Sequence, residues 1–307
     1  MKVIVHADDL GISRGITDRI IETYRRGAVR RTSIVANGEA FDYAVKSLKG
    51  NPQLSWSVHL NLVEGCCLAP GRELRLLVDP RGRFKRDFLG LFLLPVLAPW
   101  RRAELRRQIR SELDAQVQRV KRELDSVFLR IDSHRYVHLL PFVFSVVMER
   151  AADWAVREIR IVNEPLYTAG VGVRGLAELI TPNLLKLLVL RALSRSCRKQ
   201  LRRRGFCRPE RSLGVLYSGG MTARIVDRGL RRIARRPPAE DAEVEVLIHP
   251  GPADPKDRDL WRDNPRQARF YFSPARGVET AVALSPELRR CIDLISTDTG
   301  GVQAEEP

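Results

Sequence analysis

Hydrophobic positions along this chain follow two periods, and the switches between them lay out the elements. Val3-Ile4-Val5 is a short β-branched run that reads as a buried strand, and it leads straight into His6-Ala7-Asp8-Asp9-Leu10-Gly11-Ile12-Ser13. Gly11 permits a sharp turn there, and Ser13 suits the cap of a helix over about 14–26, where Ile16, Ile20, Ile21 and Tyr24 recur at helical spacing. Gly27 closes that helix. Thr32 to Ala36 reads as a second strand, Phe41 to Leu48 as a helix and Ser55 to Leu62 as a third strand. The order β-α-β-α-β argues for a parallel sheet with helices outside it.

The pattern continues less regularly. Residues from Glu64 to about Phe84 carry Gly, Pro and Arg with weak periodicity and read as a long loop. Phe88 to Trp100 is apolar, interrupted by Pro95 and followed by Arg101 and Arg102. It is too short to span a bilayer. A buried insertion or a lid is the preferred reading, because contiguous apolar stretches are mostly buried; a dimer contact or an interfacial anchor is the alternative. Leu105, Ile109, Leu113, Val117, Val120 and Leu124 form the clearest helical stripe in the chain. Val127 to Ile131 and Arg157 to Val162 read as strands, with a helix after Pro141 between them. A basic helix near 184–204, a helix over 223–234 and a strand over 243–248 follow. The stretch 252–269 reads as loop, 294–297 as a last short strand, and 301–307 as a frayed tail. With no repeat and no linker, residues 1–300 read as a single domain.

Composition changes the picture in one respect. The chain has 307 residues, 44% of them apolar, and a formal net charge of +16 carried mainly by arginine. Such a surface fits nucleic acid, anionic lipid or an acidic substrate, or equally no more than an arginine-rich composition. The basic residues are spread over several helices without interleaved aromatics, which argues against specific nucleic-acid recognition. Five cysteines (66, 67, 197, 207 and 291) form no Cys-x-x-Cys pair and fit a reducing compartment. The N-terminus has no signal-peptide pattern, so a cytoplasmic protein, in peripheral contact with membrane at most, is expected.

The chemistry gathers at strand ends. All five histidines (6, 59, 134, 138 and 249) fall at or just past the end of an expected strand, together with Asp8, Asp9 and Asp132. In parallel α/β folds these ends meet on one face. Two adjacent carboxylates repel one another unless a cation or a proton lies between them. Nitrogen and carboxylate donors of this kind suit zinc or a similar divalent ion, and a mixed set with an open position suits hydrolysis of an amide or ester.

His6-Ala7-Asp8-Asp9-Leu10-Gly11, Val58-His59-Leu60, Asp132-Ser133-His134-x-x-Val137-His138 and His249-Pro250-Gly251 together resemble the YdjC-like carbohydrate deacetylases, a family that includes chitooligosaccharide deacetylases and a branch associated with hopanoid biosynthesis. Ser218-Gly219-Gly220-Met221-Thr222 also looks like a family segment. The resemblance implies an α/β fold, a distorted (β/α) barrel with parallel strands, and removal of an N-acetyl group from a sugar with one divalent ion, zinc or magnesium. Carried onto this chain, Asp9, His59 and His134 would hold the ion. Asp8 would be the general base, His249 the acid for the leaving amine, and Arg160 the group that orients Asp8. His138 would stand close to the ion without touching it, and Asp132 is expected near the donors.

The chain departs from the family at His6, usually Asn or Thr, and at Arg135 and Tyr136, usually His. His6 would either add a ligand or pack, and Arg135 and Tyr136 would alter the pocket wall. With the apolar 85–101 insertion and the basic helix, these departures favour an N-acetylated sugar or glycoconjugate that is lipid-linked or close to an anionic membrane. The competing readings are a metal-dependent hydrolase of another ester or amide, and a basic membrane- or nucleic-acid-binding protein with a vestigial site.

Overall fold

A computed structural model of the protein describes residues 1–170, 181–207, 209–236, 238–239 and 242–298. Its first half follows the expected alternation: β1 (Lys2–Leu10), α1 (Arg14–Arg26), β2 (Val29–Ile34), α2 (Phe41–Lys49) and β3 (Ser55–Leu60). Then come α3 (Phe88–Leu97), α4 (Arg102–Glu123), β4 (Leu129–Ser133), α5 (Pro141–Arg150) and β5 (Val156–Ile159). The last part holds α6 (Pro182–Arg203), β6 (Arg211–Leu213), α7 (Ala223–Ala234), β7 (Glu243–Ile248), α8 (Pro265–Tyr271), α9 (Pro274–Leu284) and α10 (Pro286–Asp298).

The seven strands form one sheet in the order β5-β4-β3-β2-β1-β7-β6, every pair parallel. The sheet curls until its edges approach. Just ahead of β6, Cys207 bridges to Glu158 of β5, donating its N–H to Arg157 O and accepting from Ile159 N–H. The result is a single-domain distorted (β/α) barrel.

Strand alternation divides the barrel into two chemistries. On the helix side lie Val5, Ala7, Val58, Ile131, Ile159, Val244, Val246 and Ile248, all buried. They meet the apolar stripes of the helices, such as Leu105, Ile109, Leu113, Val117 and Val120 of α4. Truncating one of these, Leu113→Ala for instance, costs about 2–5 kcal/mol. The opposite strand faces carry His6, Asp8, Arg31, Ser33, Ser57, His59, Asp132 and Glu245, also buried. Their charges cancel across the lumen: Arg31 Nη1 of β2 reaches Glu158 of β5 at 3.2 Å and pairs with Glu243 of β7. The barrel interior is therefore a polar network, and the apolar core lies between sheet and helices.

Three local expectations are corrected. Residues 252–269 are not loop: Pro255–Trp261 is a 3-10 turn and Pro265–Tyr271 is α8. Residues 294–297 are helical, inside α10. The apolar insertion is not a buried segment: α3 buries only Leu91 and Pro95, while Leu97 is 68% and Trp100 79% exposed. A cavity of about 320 Å³ separates α3 from the start of α5, lined by Leu91, Phe92, Val96, Leu140 and Phe142. The basic helix is α6, as expected, and the 301–307 tail lies outside the described residues. Among the described residues no helix is long and apolar enough to cross a membrane.

Candidate active site and metal centre

The N-terminal motif occupies the end of β1. The strand does not stop before the acids; it runs through Asp8 and Asp9 to Leu10. Simple alternation would point the two carboxylates to opposite faces. The β1–β2 register slips between Ala7 and Leu10, and Asp9 takes a left-handed conformation with φ 78°. This irregularity keeps both acids in the site. Gly11, at φ 89°, then turns the chain, and the backbone of Gly38 packs so closely on Gly11 that a β-carbon there would collide with its carbonyl.

Asp9, His59 and His134 converge, all buried, with one donor atom from each within 4.8 Å of the others. Asp9 Oδ1 is 3.1 Å from His134 Nδ1 and 3.7 Å from His59 Nε2. Each histidine is held from behind by a carboxylate. His59 Nδ1–H donates to Asp132 Oδ1 at 2.6 Å, and His134 Nε2–H donates to Glu64 Oε2 at 3.0 Å. Carboxylate-backed imidazoles are the usual dress of metal-ligating histidine. The donor chemistry therefore fits a divalent cation.

The electrostatics agree. Burial pushes the Asp9 carboxyl up, but the hydrogen bond from His134 and the charges of Arg276, His134 and His249 outweigh it and hold it well below its ordinary value. Burial pulls His134 down, but its hydrogen bonds to Asp9 and Glu64 outweigh that and hold it up at about 9. The site thus favours a positive charge between these groups.

His6, Asp8 and Asp132 form a second buried cluster whose donor atoms also lie within 4.8 Å. Its cation is already present. Arg160 Nη1 contacts both oxygens of Asp8 at 3.0 Å, Nη2 reaches Asp132 at 3.1 Å, and Nε reaches Glu245 at 2.9 Å. Ser33 donates to Asp8 and Ser57 to Asp132, each at 2.7 Å. Burial raises Glu245, but Arg160 and His6 bring it down to about 2. His6 Nδ1 lies 2.7 Å from Glu245, so in this chain His6 faces the lumen network rather than Asp9.

The remaining expected residues surround this centre. His138 Nε2–H donates to Arg160 O at 2.8 Å, and its Nδ1 accepts from the Ser133 hydroxyl. Burial lowers its pKa to about 4, and it is not part of the Asp9, His59 and His134 group. Arg135 and Tyr136, at φ 53° and 59°, form a left-handed pair in the 3-10 turn after β4, with Arg135 exposed and Tyr136 buried. Such strain in residues other than glycine concentrates at functional sites. His249 follows β7, its Nδ1 3.5 Å from the fully buried Glu279. Glu279 also accepts the backbone N–H groups of His249 and Gly219, tying the Ser218–Thr222 segment to the same corner.

Glu64, Glu245, Glu279 and Arg276 were not among the expected residues. Arg276, buried in α9, donates to Asp9 Oδ2 at 2.6 Å and lies over the rings of Phe270 and Tyr271. Only Glu245 carried a readable signal, the Glu-Val-Glu-Val alternation of a two-faced strand.

A parallel barrel with a buried Asp-His-His donor set at its strand ends defines a fold able to carry metal-assisted chemistry. The chain belongs to the YdjC-like protein family, whose model matches residues 2–294. A carbohydrate deacetylase of Brevibacillus brevis is 33% identical over 156 residues, 51% of this chain and 58% of that protein. Carbohydrate deacetylase 1 of Listeria innocua is 46% identical over 91 residues, 30% of this chain and 36% of that protein. The matched stretches thus span about a third to somewhat over half of these relatives. A crystal structure from Enterococcus faecalis, of a candidate cellobiose-phosphate cleavage protein, superposes with a TM-score of 0.64 over 96% of this chain and 95% of that one. At 20% identity this likeness is one of fold.

Proposed function

We propose that this protein is a metal-dependent deacetylase that hydrolyses the N-acetyl group of an amino sugar. The observation that carries the reading is the pair of carboxylate-backed histidines facing Asp9 in a chain of this family. Asp9, His59 and His134 would hold one divalent ion, and a two-nitrogen, one-oxygen set favours zinc over magnesium. When bound, such an ion supplies polarisation of the acetyl carbonyl and activation of water. Asp8 is the general base; the Ser33 hydroxyl and the Arg160 guanidinium fix its carboxylate beside Asp9. His249 gives a proton to the leaving amine, its ring steadied by Glu279. Arg135 and Tyr136 contribute to the pocket wall. Acetate release from N-acetylated sugars, run beside simple esters and amides, tests the reading; hydrolysis of the latter alone would move the assignment to another hydrolase.

The substrate is further proposed to be a glycoconjugate held near a membrane, with the protein acting at the cytoplasmic surface. Both α3 and α6 pack against α5 and the 134–139 turn that carries His134. Each presents large exposed apolar side chains, Leu97 and Trp100 from the α3 end and Leu185 and Leu188 from α6, beside arginines. Apolar residues rimmed by Arg suit an anionic headgroup boundary. Sedimentation with phosphatidylglycerol vesicles at low salt tests this: wild type pellets and Leu97→Glu does not. Wild type left in the supernatant would contradict it and favour a dimer contact.

A further inference from the structure

Glu64 backs His134 at the centre, but its other partners lie outside the proposed chemistry. It sits in the loop after β3 and is 3% exposed. The Asn61 side chain shapes this loop, accepting the N–H groups of Val63 and Glu64 and donating to Glu64 O. The Glu64 carboxylate accepts from three side chains on separate parts of the chain. Trp261 Nε1–H reaches Oε1 at 2.9 Å, Tyr271 O–H reaches Oε2 at 3.2 Å, and His134 Nε2–H reaches Oε2 at 3.0 Å. Trp261 and Tyr271 are buried and stack with ring centroids 4.3 Å apart. The guanidinium of Arg276 lies 4.8 Å from the Tyr271 ring centre and also donates to Asp9. The aromatic pair therefore touches the donor set twice, at His134 through Glu64 and at Asp9 through Arg276.

A carboxylate behind a ligating imidazole fixes the ring and raises its basicity. Here the same carboxylate is aimed by two aromatic donors from the C-terminal third. We infer that Glu64 is a positioning residue for His134 and that it couples ion loading of the site to the packing of Trp261 and Tyr271. Such coupling is reciprocal: loosening the pair weakens ion binding, and ion binding tightens the pair. This inference rests on the metal-site reading above.

The test uses the full chain, stripped with chelator and titrated with zinc, followed by calorimetry and tryptophan fluorescence. Wild type is expected to bind one ion with a fluorescence change. Trp261→Phe, which leaves Trp56, Trp100 and Trp154 in place, removes most of that change and weakens binding only a few-fold. Glu64→Gln binds about 10–100-fold more weakly and loses the Trp261 response. Wild-type affinity and an unchanged response in Glu64→Gln overturn the coupling while leaving the metal site intact. Complete loss of binding in a folded Glu64→Gln overturns positioning in favour of direct ligation, and no zinc binding by wild type overturns both readings. If Glu64→Gln does not fold, the Trp261→Phe/Tyr271→Phe double variant decides: wild-type zinc affinity there overturns the inference.

Discussion

His59 Nδ1 lies 2.6 Å from Asp132 Oδ1, and the two residues are direct register partners on the adjacent strands β3 and β4. The sheet itself delivers the carboxylate to the imidazole, so His59 keeps its Nε2 free toward Asp9. Asp132→Asn removes the charge and leaves the strand pairing intact. Its metal affinity is expected to fall about 10–100-fold, measured by competition with a chromogenic chelator. Unchanged affinity would mean that Asp132 serves only the lumen network.

Arg160 is the sole arginine joined to Asp8, Asp132 and Glu245 together among the described residues. Arg160→Met leaves three buried carboxylates without their cation. The expected loss is about 3–5 kcal/mol of stability, read by urea denaturation with chelator present. Arg160→Lys recovers only part, because a point charge cannot span three partners.

His249→Ala is expected to lower kcat by about 10²–10⁴-fold, the range for a lost general acid, while metal content stays at the wild-type level. Glu279→Gln is expected to follow in the same direction with a smaller loss, since in the proposed mechanism Glu279 would act on the substrate only through His249. Metal loss in His249→Ala would instead place that residue among the ligands.

Glu112 of α4 gives stability a pH dependence that does not involve the Asp9, His59 and His134 donors. It is fully buried and accepts the N–H groups of Leu68 and Ala69 and the Gln116 amide. Burial raises its pKa to about 7 against an ordinary value of 4.5. The folded state thus holds a proton that the unfolded state releases. The stabilisation is complete below pH 4.5 and is lost as pH rises toward 7, amounting to about 3 kcal/mol for this one group. Urea denaturation at pH 5 and pH 7.5 checks it: the difference between the two pH values shrinks in Glu112→Gln.

The sequence disclosed the centre better than its surroundings. Asp8, Asp9, His59 and His134 were legible because parallel strands carry their C-terminal residues to one mouth. The irregularity at Asp9 was not, since the register slip against β2 arises only once the strands pair. Glu64 and Arg276 were hidden for a different reason: one lies in an irregular loop and the other on a helix near the far end of the chain. The three closing helices had a signal that polarity obscured. Asn264-Pro265, Ser273-Pro274 and Ser285-Pro286 each place a capping side chain before a first-turn proline, and each side chain accepts a backbone N–H of its helix. The α3 segment misled because an apolar run is usually buried, whereas here Leu97 and Trp100 face outward.

In the proposed mechanism Asp9, His59 and His134 hold one ion on which deacetylation depends. Its most direct test is metal content by mass spectrometry on wild type, Asp9→Ala and His134→Ala, with acetate release from N-acetylated sugars measured on the same samples. One ion per chain in wild type, lost together with acetate release in both variants, is the expected result. Wild type that takes up no ion after incubation with zinc, or variants that keep both ion and activity, would contradict it.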